Sequence, residues 1–143
     1  MIPGVRVTLM LADYAQVSNG KLTLVGGGWS QMTTQGPFGF WVGGVLQVPW
    51  DQANAKHTFR LDLLDADGKP IPTGEGDNTL HVDGEFELGR PAGIKPGTPL
   101  DFPLAFPFGP LVLEGGRYEL RLSIDGETRE DWYLAFTLTV RPS

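Results

Sequence analysis

The stretch that most constrains what this chain can fold into is Glu114–Glu127, Glu-Gly-Gly-Arg-Tyr-Glu-Leu-Arg-Leu-Ser-Ile-Asp-Gly-Glu. Tyr118, Leu120, Leu122 and Ile124 alternate with Arg117, Glu119, Arg121 and Ser123, and a period of two puts the apolar set on one face and the polar set on the other. Glycines bound the run at both ends. Such a strand belongs in an antiparallel sheet with one wet face. Tyr118 stands two residues before the apolar Leu120 and just after the corner Leu113–Gly116. Its hydroxyl is expected to donate back to the backbone of that corner.

The rest of the chain repeats the pattern. Val5, Val7, Leu9 and Leu11 alternate with Arg6, Thr8 and Met10, after which Ala12–Val17 runs on without a polar face. Asp13 falls in register with the apolar set, so either a bulge near residue 12 re-aims it outward or it is a buried carboxylate held by backbone or tyrosine donors. Asn19-Gly20 between two apolar runs is a strong hairpin signal, because a type I′ turn needs positive φ at both central positions. Gly26-Gly27-Gly28 ends the return strand and reads as a bulge that leaves room for Trp29. Phe38–Val48 is apolar in both parities, as for a strand covered on both faces. Pro49–Lys56 predicts a short helical turn with Asp51 as N-cap. Phe59–Leu63, the turn Asp65–Gly68 and Lys69–Pro72 predict a second hairpin. Leu80–Leu88 predicts a strand with an acidic outer face, and Gly89–Pro99 is too rich in glycine and proline for anything but a surface connection, a place where function often resides. Pro103 and Pro107, equal in parity, mark Leu100–Phe108 as an edge strand. Trp132–Val140 closes the set.

About eight strands at roughly ten-residue spacing, joined mostly by hairpins and accompanied by one helical turn, predict an all-β antiparallel Greek-key sandwich of two sheets. With Tyr118 at its corner the sandwich is expected to be immunoglobulin-like. The 143 residues make one domain, 1–143, and the 20 glycines and 12 prolines are scattered without a repeat, as turn punctuation is. Seventeen acidic against eleven basic residues give a net charge of −6, which repels nucleic acid and anionic membrane, so neither is an expected partner. With no cysteine there is neither a disulfide nor a thiolate metal site, and no cofactor is implied. No basic leader runs into an apolar cleavage segment. The expected location is the cytoplasm, or a phage particle.

Leu11-Ala-Asp-Tyr-Ala-Gln-Val17, Asn19-Gly-Lys-Leu22, Gly26-Gly-Gly-Trp-Ser30, Val48-Pro-Trp-Asp51, Leu63-Leu-Asp-Ala-Asp-Gly68, Phe86-Glu-Leu-Gly-Arg-Pro91 and Gly116-Arg-Tyr-Glu-Leu120 span nearly the whole sequence. Together they resemble a family of short bacterial β-rich proteins of unknown function. The resemblance implies a stand-alone β domain and transfers no site residues.

Chemical motifs are sparse. The glycine triplet is followed by Gln31 rather than a helix-opening glycine, and Ser30 lacks the glycine that would complete a nucleophile elbow. His57 and His81 lie on different strands with no spacing that brings two nitrogens to one metal, and both read as surface or rim residues. Asp62, Asp65 and Asp67 present oxygens suited to Ca²⁺, but Asp-x-Asp-Gly is equally a good turn, which is the preferred reading. Trp29, Trp41 and Tyr14, with Asp13 beside them, are the candidate ligand-binding set. Core packing is the preferred role for the tryptophans. No catalytic residue is assigned, and the chain is not expected to be an enzyme. The expected function is a non-enzymatic interaction or assembly module, self-associating or docked on a protein partner within a larger bacterial or phage complex. Phe38–Val48 and Leu9–Val17 carry this reading, since their second apolar face calls for a cover, expected from another copy or another protein. The alternatives are a β-sandwich binding a small molecule or carbohydrate and, behind it, a hydrolase built on Asp13.

Overall fold

The alternation of Tyr118–Ile124 becomes a strand whose four apolar side chains are all buried. It is the eighth of nine in the computed structural model, which describes residues 4–142. The strands are β1 (Arg6–Ser18), β2 (Lys21–Gly27), β3 (Gln31–Thr34), β4 (Phe38–Val48), β5 (His57–Leu64), β6 (His81–Phe86), β7 (Leu100–Leu111), β8 (Gly116–Ile124) and β9 (Tyr133–Val140). One sheet has the order β2-β1-β4-β7 and the other β3-β9-β8-β5-β6. Every pairing is antiparallel except that of β3 with β9. Within these, β1-β4-β7 and β9-β8-β5 follow the A-B-E and G-F-C orders of immunoglobulin-like sandwiches, and β6 takes the place of an added C′ strand.

The core fills the space between the sheets, and its aromatic residues gather at two places. Trp29 meets Phe40 and Phe136 edge-on, and Phe108 stacks on Phe40 and Tyr118 on Phe136. Phe59, Phe86, Phe102 and Phe106 form the other group, reaching His57 at 5.3 Å from Phe86. Tyr118 is buried and its hydroxyl donates to Glu114 O at 2.6 Å, so the corner is a tyrosine corner. Asn19 and Gly20 have φ of 52° and 71°, as the type I′ turn requires. β7 lies at a sheet edge, where its prolines break no inner ladder.

Local readings fail where tertiary pairing decides. Lys69–Pro72 makes only isolated bridges, and the true partner of β5 is β6, reached across the polar connection that follows the Asp65–Gly68 turn. The helical turn shrinks to a 3-10 turn at Trp50–Gln52, with Pro49 rather than Asp51 at its N-cap position and no side-chain cap bond. A second 3-10 turn at Glu130–Trp132 leads into β9.

The largest departure concerns the second face of β4. Phe40, Val42, Leu46 and Val48 face the core, yet Gly43 on the opposite face is buried too. The cover comes from the chain itself. Arg6–Ala12 of β1 pairs with β4, whereas Ala12–Ser18 pairs with β2. Past Ala12 the hairpin turns over the outside of the sheet, so β2 reaches β4 and also β7, three places away in strand order. Ala15, Leu22 and Leu24 stand over Gly43, where a Cβ would meet them. Ala12 and Ala15, three apart, are both fully buried, so the alternation slips at Asp13–Tyr14. Opposite, Gly26 has a φ of 61° and lies against the Asp13 carboxylate, leaving no space for a side chain. The irregularity turns Asp13 outward: it is exposed, not a buried carboxylate.

Candidate functional site

Two features lie at the end of the sandwich where β4 passes to β5. The first is an open cleft of about 410 Å³ between the start of β1, the end of β4, the Trp50 turn and the connection from β6 to β7. Arg6, Gln47, Trp50 and Asp51 line it, with Pro49, Gly97 and Pro99 completing an otherwise apolar wall. Its size is that of a small-ligand site. Trp50 is held from behind by Arg90, whose guanidinium lies 4.6 Å from the indole centroid and donates through Nη2 to Trp50 O at 2.7 Å. The Gly89–Pro99 connection is thereby tied to the turn through its second residue.

The second feature lies beside the cleft. His57 opens β5 in the same parity as Phe59, Leu61 and Leu63 and is only 5% exposed. This corrects its assignment to the surface or rim. Its Nδ1 lies 2.8 Å from Asp125 Oδ2 and its Nε2 lies 3.0 Å from Gln52 O, within the Trp50 turn. Asp125, at the turn after β8 with a φ of 51°, also accepts from Thr58 N at 2.9 Å. Burial alone would lower the His57 pKa, but the bond to Gln52 O and the bond and charge of Asp125 outweigh it and raise the pKa above 6.5. Burial opposes ionisation of Asp125, yet the bonds from His57 and Thr58 N bring its pKa below 3.8. A histidine oriented by a carboxylate is half of an acid–base device. Here the other ring nitrogen is taken by a backbone carbonyl, so no lone pair faces a substrate.

The sequence-derived candidates disperse. Tyr14 meets Trp41 edge-on at 5.1 Å, and Asp13 lies next to them at the bend of the hairpin. Trp29 is elsewhere, half-buried between the sheets. Asp62 accepts from Arg60 Nε at 2.9 Å, and Asp65 Oδ1 accepts from the backbone N–H groups of Asp67 and Lys69. Asp62 and Asp65 thus have separate duties, Asp67 contributes only its backbone N–H, and among the described residues no three carboxylates or imidazoles gather where an ion would sit. His81 accepts or donates locally at Thr79 and is not buried. The sequence reading missed the pairing of His57 with Asp125 and the hold of Arg90 on Trp50. A signal existed for His57, since its parity extends the core face of β5 by one residue.

The architecture defines an immunoglobulin-like β-sandwich with an apolar hairpin folded on one flank and a cleft at one end, a scaffold class that does not dictate an activity. The chain belongs to a family of unknown function, DUF6941, whose model matches residues 7–137. No match was found among curated proteins. No helix among the described residues is long and apolar enough to cross a membrane.

Proposed function

We propose that the chain is a non-enzymatic interaction module that docks a protein, either a second copy or a subunit of a larger bacterial or phage assembly, through the outward side of the β1–β2 hairpin. The supporting observation is where apolar surface is left. Seven large apolar side chains stand out as exposed among the described residues, and Met10, Tyr14, Val17 and Val25 all belong to this hairpin. Tyr14 and Val25 are register partners, 42% and 53% exposed, so they form one contiguous surface. The hairpin covers β4 itself, and its outer side is the surface that a partner would cover. Light scattering at micromolar concentration tests the self-association form: the expected mass is a multiple of 15.6 kDa, falling to one copy in Val25→Glu. A sharp 15.6 kDa species for the wild type would overturn that form.

The cleft favours a second reading, a small-molecule or carbohydrate ligand stacked on Trp50 and hydrogen-bonded by Gln47, Asp51 and Arg6. Indole fluorescence titrated with a panel of mono- and disaccharides tests it, with saturable quenching expected in the wild type and lost in Trp50→Ala. A flat titration throughout the panel would count against the carbohydrate form. Asp13 is exposed, which removes the burial on which a hydrolase reading rested.

A further inference from the structure

We propose that the His57 imidazolium is a proton-operated clamp that fixes the Trp50 turn, and with it one wall of the cleft, to the turn after β8, and that loss of its proton frees the Trp50 turn. Donor counting carries the inference. Gln52 O is a carbonyl and can only accept, so Nε2 must bear a hydrogen. Asp125 is held ionised despite its burial by the bonds from His57 and Thr58 N, and an ionised carboxylate only accepts, so Nδ1 must also donate. Both bonds exist together only when the ring is doubly protonated.

Among the described residues the ring has no other proton partner. From the turn after β8 it faces Asp125, from the Trp50 turn the Gln52 carbonyl, and from β6 the ring of Phe86 at 5.3 Å. The nearby charges on β6 and at the entry to β5, Glu85 and Lys56, pair with each other at 3.8 Å on the surface. Asp51 of the same turn is exposed at the cleft. When the ring becomes neutral it keeps one N–H, and the charge-assisted bond to Asp125 retains it because that bond is the stronger. Gln52 O then loses its donor. The turn itself is left with the bonds Gln52 N to Pro49 O, Ala53 N to Trp50 O, and Arg90 to Trp50 O, and the next tie toward the sheet carrying His57 is Asn54 N to Leu88 O at 2.8 Å, two residues past Gln52.

The test uses the full chain labelled with 5-fluorotryptophan, the Trp50 resonance being assigned by its disappearance in Trp50→Phe. Long-range ¹H–¹⁵N spectra read the protonation and tautomer of His57 over the same range, about pH 5 to about pH 9. The expected result is a doubly protonated ring at about pH 6, a titration midpoint above 6.5, and a Trp50 shift with that same midpoint. Above the midpoint the remaining proton sits on Nδ1. In Asp125→Asn the shared midpoint moves down by about a unit or more, and in His57→Gln the Trp50 resonance stops responding to pH. A ring that is neutral at about pH 6, or a Trp50 resonance that ignores the His57 titration, overturns the clamp. The wild-type titration decides this even if either variant fails to fold.

Discussion

Gly43 and Gly44 are adjacent on β4 and point to opposite faces, and adding one methyl group to each tests how far the groups over each face can yield. A Cβ on Gly44 would run into the Thr8 carbonyl oxygen and meet Leu9 Cδ2 at 2.8 Å. Thr8 is backbone in the neighbouring strand, paired with Val45, so it can give only if β1 and β4 part. Overpacking that displaces backbone lies at the upper end of the usual 1–3 kcal/mol or beyond it. Gly44→Ala is therefore expected to cost about 3 kcal/mol, a loss of about 10 °C in Tm for a domain of this size. A Cβ on Gly43 meets first Leu24 Cδ2, the far end of a flexible side chain, and then Ala15 Cβ at an ordinary 3.4 Å. Leu24 can rotate away at about 0.5–1.5 kcal/mol, and the stiffer unfolded chain returns about 0.4–1 kcal/mol. Gly43→Ala is expected to be within about 1 kcal/mol of wild type. Denaturant unfolding with a common m-value measures both. Equal costs, or a Gly43→Ala more damaging than Gly44→Ala, would refute the contrast between a yielding Leu24 side chain and an unyielding Thr8 carbonyl.

Tyr118→Phe removes the bond to Glu114 O and is expected to cost about 1–1.5 kcal/mol, read by the same unfolding assay; no change would mean that the corner bond contributes nothing. Stability should also depend on pH through His57 and Asp125. The raised His57 pKa stabilises fully below 6.5 and fades as pH rises through the folded value, while the lowered Asp125 pKa stabilises above 3.8 and fades as pH falls through its folded value. Their joint contribution is thus greatest between about pH 4 and about pH 6.5, and the difference in unfolding free energy between wild type and Asp125→Asn should peak there; a difference constant from about pH 4 to about pH 9 would contradict the pairing. Millimolar Ca²⁺ is expected to leave Tm unchanged, because Asp62 and Asp65 are committed to Arg60 and to backbone N–H groups; a reproducible rise would reveal native-state binding.

Local chemistry determined much of this molecule. Alternation alone placed β8, β9 and β7, since a half-buried strand needs nothing beyond its own neighbours to declare which face is apolar. Asn19-Gly20 declared its turn through backbone sterics, and Tyr118 declared its corner through its position after Glu114-Gly-Gly. What covers the outer face of β4 was not legible: the apolar parity of Trp41–Val45 demanded a cover, but a demand for burial does not say which chain supplies it. Only the bend after Ala12, permitted by Gly26 and filled by Leu22 and Leu24, showed that the cover is internal. The partner of β5 was hidden for the same reason, because the β6 ladder closes across a polar connection that carries no pairing signal of its own. Likewise the parity of His57 shows that it faces inward, but its proton is fixed by Asp125 and Gln52, 68 and 5 residues away, a coincidence of positions that exists only once the sheets have packed.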